Sequence, residues 1–202
     1  ALKLNTSGTY NDAMGYAALE NNTTASYNIA MGGTALRANT TGTRNVAVGY
    51  EALLTNSTNN DLTAVGYNAL KLSTDGQNSA FGSYAMATSS TGAGNAAMGY
   101  KSMQDNTTGN HNTALGYQSL QANTTGARNI AIGYNAYDAS DTENDNLAIG
   151  HSAMTTNTAG GEYNVAIGNY VLDALTSGDY NTAVGNSAMT SCTTGAKNTA
   201  LG

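Results

Sequence analysis

Two histidines and one cysteine are the scarcest reactive side chains in these 202 residues, and their placement argues against chemistry. His111 precedes an Asn, His151 follows a Gly, Cys192 stands alone, and no carboxylate recurs with any of them at metal-ligand spacing. One thiol beside two scattered imidazoles is poor material for a nucleophile and its base, and no Gly-x-Ser-x-Gly elbow occurs. The many Gly-containing stretches lead into neither the Lys-Ser/Thr pair nor the helix that cradles a phosphate. No enzymatic activity, cofactor or metal site is therefore expected. The acidic run "DASDTENDN" (138 to 146) carries Asp138, Asp141, Glu143 and Asp145, a dense set of the hard oxygen donors that suit calcium. Their spacing matches no cation loop, so the run reads as a solvated turn. Tyr16, Tyr50, Tyr67, Tyr100, Tyr117 and Tyr134 each follow a Gly in the same local context. They read first as packing residues with a wet hydroxyl, and second as candidate surface ligand contacts that stack a sugar.

That shared context is a repeat. The pattern Asn-x-Ala-x-Gly closes at Gly15, Gly32, Gly49, Gly66, Gly82, Gly99, Gly116, Gly133, Gly150, Gly168, Gly185 and Gly202. The gaps are 17 residues, apart from one of 16 before Gly82 and one of 18 before Gly168. A single array thus spans 1–202, and its start at Ala1 with no signal segment suggests a fragment of a longer, exported fibre protein. Composition agrees with regular structure rather than disorder: 24 Gly and 13 Tyr, no Pro, and only 10% charged residues. The net charge is −6 and the seven basic residues are scattered, so no stripe exists to collect nucleic-acid phosphates. No apolar run is long enough for a membrane span.

Each slot of the unit has its own tolerance. The slot before the large apolar residue is always Ala, from Ala13 to Ala200. The next holds Met14, Met31, Val48, Val65, Phe81, Met98, Leu115, Ile132, Ile149, Ile167, Val184 and Leu201. A second apolar column runs from Leu19 to Met189 through Leu36, Leu53, Leu70, Met86, Met103, Leu120, Tyr137, Met154 and Leu172. Both irregular gaps fall between the Asn-Thr-Thr-Gly-like segment and the next repeat Asn, near Gln77 and Gly161, which marks that segment as a loop.

Seventeen residues are too few for two helices and a connection, while short strands with alternating small and large residues fit. The expected fold is all-β: a parallel β-solenoid of about 11–12 coils, each hydrogen-bonded to its neighbours. At about 4.8 Å per strand the stack would be roughly 50 Å long. Alternation points Ala, with the Asn and Gly, into a narrow coil and the Met/Val/Ile/Leu column outward. An exposed column of that kind forfeits about 1.5 to 3 kcal/mol per side chain, so a cover is expected. The simplest cover is another copy around a shared axis. The Asn row, interrupted at Leu62, reads as a ladder of side-chain amides bonding their own turns rather than as a ligand row. Sequons at Asn39, Asn106 and Asn123 recur because the turn is spelled Asn-Thr-Thr, and they are weak signals for glycans.

The segments "NTALGYQSLQANTTGARNIAIGYNA" (112 to 136) and "NVAVGYEALLTNSTNN" (45 to 60) resemble the head repeats of trimeric autotransporter adhesins and similar repeats of phage tail-fibre proteins. The likeness runs through the whole chain. It implies a left-handed parallel β-roll, a homotrimer wound about one axis lined by the column from Met14 to Leu201, and a role in attachment. It also implies an extracellular location, on a bacterial surface or a virion tail fibre, and a host-surface glycan or protein as partner. Two other readings follow from the residues. One is a mechanical shaft without a ligand. The other is an ice-binding array of Thr, against which stands the adjacency of pairs such as Thr40 and Thr41, which would face opposite ways in a strand.

Overall fold

The computed structural model describes residues 1–156 and 160–202. Its regular elements are twelve three-residue strands: β1 (Asp12–Met14), β2 (Ile29–Met31), β3 (Val46–Val48), β4 (Thr63–Val65), β5 (Ser79–Phe81), β6 (Ala96–Met98), β7 (Thr113–Leu115), β8 (Ile130–Ile132), β9 (Leu147–Ile149), β10 (Val165–Ile167), β11 (Thr182–Val184) and β12 (Thr199–Leu201). They form one parallel sheet in chain order, with each Ala beside the Ala of the next coil. The chain is a parallel β-solenoid with a repeat of about 17 residues, as its periodicity predicts. The short coil still pairs Ala64 with Ala80, and the long coil pairs Ala148 with Ala166, so both length changes are absorbed outside the strands. The turn that carries the extra residue, 157–159, lies outside the described residues.

Burial follows the alternation. The middle Ala of every strand from β2 to β11 is buried, while its two neighbours are exposed or half-exposed. The strand ends on a Gly whose φ lies between +122° and +140°, a region that a side chain rarely enters. The reason is contact between coils. A Cβ on Gly133 would sit 2.2 Å from the carbonyl oxygen of Gly150.

The second apolar column fills the rest of the core. Leu36, Leu53, Leu120 and Tyr137 are fully buried, and so is the residue before each of them. Two consecutive inward side chains contradict strand alternation, and the backbone explains them. Leu36 has φ +49° and Thr34 φ +58°, and the same pair of left-handed residues recurs in every coil from Ala17 and Leu19 to Ser187 and Met189. This corner turns the chain so that both side chains of Ala-Leu face inward. A left-handed non-Gly residue costs about 1–3 kcal/mol, comparable to the 1.5–3 kcal/mol gained by burying a Leu. The corner therefore holds only because the core pulls the Leu inside.

Two amide ladders complete the interior. In the first, the Asn112 backbone N–H donates to Asn95 Oδ1 (2.8 Å), Asn129 N–H donates to Asn112 Oδ1 (2.8 Å), and Asn112 Nδ2 donates to the Gly126 carbonyl (2.7 Å). Each amide thus satisfies a backbone donor and a backbone acceptor that no strand partner reaches. The ladder is interrupted at Leu62, whose own N–H still donates to Asn45 Oδ1. The second ladder is the Asn of Asn-Thr-Thr-Gly, which turns inward rather than lying on the surface. Asn39 Nδ2 donates to the Gly42 carbonyl (3.0 Å), and Asn123 Nδ2 to both the Gly126 carbonyl (3.0 Å) and Asn106 Oδ1 (2.8 Å). Asn39, Asn106 and Asn123 are fully buried, so these sequons are closed to modification in the folded chain. Replacing Asn112 by Leu should orphan the Asn129 N–H and the Gly126 carbonyl together. At about 1–3 kcal/mol for each buried group, a loss of roughly 2–5 kcal/mol is expected in urea unfolding. An Asn112→Leu chain that unfolds at the wild-type urea concentration would contradict the ladder's role.

Candidate functional site

Each strand sends its first and third residues to the outer face of the sheet, because a strand's side chains alternate. The third residues are the column from Met14 to Leu201. Met98 is 51% exposed and Phe81, Leu115, Met31, Met14 and Leu201 are also exposed, while Val48, Val65, Ile132, Ile149, Ile167 and Val184 are half-buried. The outward direction expected from alternation is what the coil adopts. The first residues form a parallel column that the motif-based reading missed, including Ile29, Val46, Ile130, Leu147 and Val165. The same period-two rule contained them: they stand two residues before the large apolar slot. The outer face is thus a two-column apolar ribbon along the whole stack, and coverage of it would exclude water from more than the predicted column alone.

The tyrosines build a second continuous feature. Tyr50, Tyr67, Tyr100, Tyr117 and Tyr134 lie in one column, with ring centroids 5.5 Å apart for Tyr50–Tyr67, 5.3 Å for Tyr100–Tyr117 and 5.0 Å for Tyr117–Tyr134, all stacked. Tyr84 bridges the middle edge-on, 5.2 Å from Tyr67 and 6.3 Å from Tyr100. His151 stacks on Tyr134 at 5.0 Å, and Tyr170 closes the column at 5.1 Å from His151. The sequence reading missed Tyr84, His151 and Tyr170. His151 occupies the same slot as the predicted tyrosines, while Tyr84 and Tyr170 come from the next one. Tyr16 stands apart at 85% exposed, because its neighbouring coil has Gly33 in the matching slot. Within the stacked runs the ring faces lie against one another, so edges and hydroxyls are what solvent meets. Two further stacks, Tyr10–Tyr27 at 5.1 Å and Tyr163–Tyr180 at 4.9 Å, lie in the slot before the repeat Asn.

That last slot also carries rungs of opposite charge. Arg44 donates to both carboxylate oxygens of Asp61 (2.6 and 2.9 Å), and Arg128 does the same to Asp145 (2.6 and 2.7 Å). The hydrogen bond from each guanidinium holds the Asp61 and Asp145 carboxyls below the usual carboxylate range. Both arginines are exposed, so these pairs add little stability.

The acidic run is not the uniformly solvated turn expected from its composition. Glu143 is 2% exposed and folds back into its own turn. Its carboxylate accepts from Ser140 Oγ (3.2 Å) and from the N–H groups of Asp141 (2.9 Å), Thr142 (3.1 Å) and Gly160 (3.0 Å). Asp145 is engaged with Arg128, and among the described residues no three His, Cys, Asp or Glu side chains are grouped as a metal site. Asp138 is half-buried, and desolvation raises its pKa above the ordinary value. A raised folded pKa means that the folded state gains stability as pH falls through it, and carries a penalty at neutral pH. Asp138→Asn should therefore shift the urea midpoint upward at pH 7, with the gap from wild type closing toward the ordinary carboxylate pKa of about 3.9. A gap that persists unchanged at pH 3 would rule out the desolvated charge as its cause.

Of the remaining residues singled out in sequence, His111 lies beside Gly94, where an added Cβ would come within 2.8 Å of its Nδ1. Cys192 replaces an inward Asn of the turn, with Sγ 3.8 Å from the Gly195 carbonyl. The first Thr of each turn spends its hydroxyl between coils, Thr40 Oγ1 donating to the Ser57 carbonyl (3.0 Å) and Thr107 Oγ1 to that of Thr124 (2.9 Å). No helix among the described residues is long and apolar enough to cross a membrane. In comparisons with known proteins, no family model matches the chain, and neither a curated protein nor a solved structure matches it.

Proposed function

We propose that this chain is a segment of a homotrimeric fibre, on a bacterial surface or a virion, that attaches to a host or other surface. Three left-handed coils would run side by side about one axis, like the adhesin head and tail-fibre repeats its sequence resembles. The observation that supports this is the apolar ribbon, which runs the length of the sheet and is covered by no part of its own coil. Leaving it in water forfeits about 1.5–3 kcal/mol for each large side chain, and a rotational assembly covers every rung at once. Three chains would also present any surface contact in triplicate, so weak individual contacts add through avidity.

Native mass spectrometry tests the assembly and binding of the intact particle to arrayed glycans or host cells tests the attachment. A mass of three chains with retained surface binding is the expected result. A single-chain mass would remove the fibre reading. The stacked tyrosines favour a second reading, a mechanical shaft, because their ring faces are largely taken up by one another. Assembled particles that bind no surface at all would decide for the shaft.

A further inference from the structure

The two columns of the apolar ribbon are matched in size, rung by rung. Where the third residue of the strand is long, the first is small: Ser79 with Phe81, Ala96 with Met98, Thr113 with Leu115. These six residues, with the intervening alanines of β6 and β7, enclose an apolar hollow of about 220 Å³ on the open face of the sheet. On the next three strands the balance reverses, and the first residue is Ile, Leu or Val beside a compact β-branched Ile. The match does not extend to β2, where Ile29 and Met31 are both large.

Within one chain this alternation has no purpose, because the two columns are separate side chains pointing away from the core. It acquires one between chains. When copies are related by rotation about an axis parallel to the stack, the third-residue column of one copy meets the first-residue column of the next, at equal height. We infer that the copies lie parallel with no axial stagger, each seating its Phe81, Met98 and Leu115 in the hollow made by Ser79, Ala96 and Thr113 of the next. The inference rests on the proposed self-assembly, and adds the register that the assembly adopts. A slip of three rungs would press Phe81, Met98 and Leu115 against Ile130, Leu147 and Val165 and leave the hollow empty. Overpacking and an unfilled cavity both oppose it.

Mixed single-cysteine chains test the register, in a Cys192→Ser background. Ala96→Cys chains co-expressed with Met98→Cys chains should form disulfide-linked dimers on mild oxidation. The pair Ala96→Cys with Ile149→Cys, three rungs apart and about 14 Å along the axis, should not. Cross-linking of the distant pair as efficient as that of the level pair, in particles of wild-type mass, would overturn the register and leave self-assembly standing. A single-chain mass for the uncross-linked protein would overturn both. As a second readout, Ala96→Phe should fill the hollow and weaken assembly at least tenfold in a dilution series while leaving the circular dichroism of the coil unchanged. Assembly as tight as wild type would contradict the seat.

Discussion

Gly133→Ala should cost the solenoid roughly 3–5 kcal/mol, the largest stability loss expected from any single methyl in the chain. Gly133 has φ +139°, and its added Cβ would lie 2.2 Å from the Gly150 oxygen and 2.7 Å from the Gly150 carbonyl carbon. Both atoms belong to the backbone of the next coil, so neither can swing aside. Relief requires separating two coils, which breaks the hydrogen bond from Gly150 N–H to the Ile132 carbonyl (2.8 Å) and its neighbours along the rung. Because each coil touches only the coils above and below, the damage sits in the middle of the stack and uncouples its halves. Gly33→Ala is the control. Its Cβ would approach only the Tyr50 ring at 3.2 Å, a side chain that can shift. Urea unfolding of the two variants should differ by several kcal/mol, and equal stabilities would mean that coil-to-coil contact does not dictate the repeat glycine.

Ile132→Asp should abolish assembly and spare the coil. The side chain points out of its own winding and is half-exposed there, so a carboxylate at this position is hydrated in the separate chain. In the proposed fibre the same group would be buried near the axis with no cation beside it, a penalty of several kcal/mol in each chain. Native mass spectrometry should then report about 20.5 kDa, the mass of one chain, in place of three times that value, with circular dichroism unchanged. Arg128→Ser loses an exposed ion pair to Asp145 and should leave the mass as in wild type. An Ile132→Asp protein that still assembles would place the shared axis elsewhere.

The legible part of this fold was the part governed by a period of two. Ala at one position and large aliphatics at the next gave the strand, its inward side and its outward side. Gaps of 16 and 18 residues located the loop, because a slip inside a strand would have reversed every face. The inward Asn before Val46 or Ile130 was also readable, since the motif repeats it in phase with the strand. Outside the strands, side-chain direction depends on φ, and sequence carries little trace of it when the residue is not Gly. Thr34, Leu36 and Arg44 all adopt φ near +50° to +60°, and nothing in their types announces it.

Those left-handed corners explain what sequence did not show. They bring consecutive Ala35 and Leu36 into the core together, and Asn39, which composition assigns to a surface turn, becomes a buried ladder amide. Glu143 closes its turn as a buried carboxylate because four donors converge on it, one of them Gly160 N–H from the following coil. The column from Tyr50 to Tyr170 draws rings from two different slots, so no single position of the repeat defines it. Thus the repeat, the strands and their two faces are properties of the amino-acid order alone, since alternation is local. The corners, the second amide ladder and the joined aromatic column belong to the tertiary structure, since they exist only once neighbouring coils hold the backbone in conformations that no residue prefers by itself.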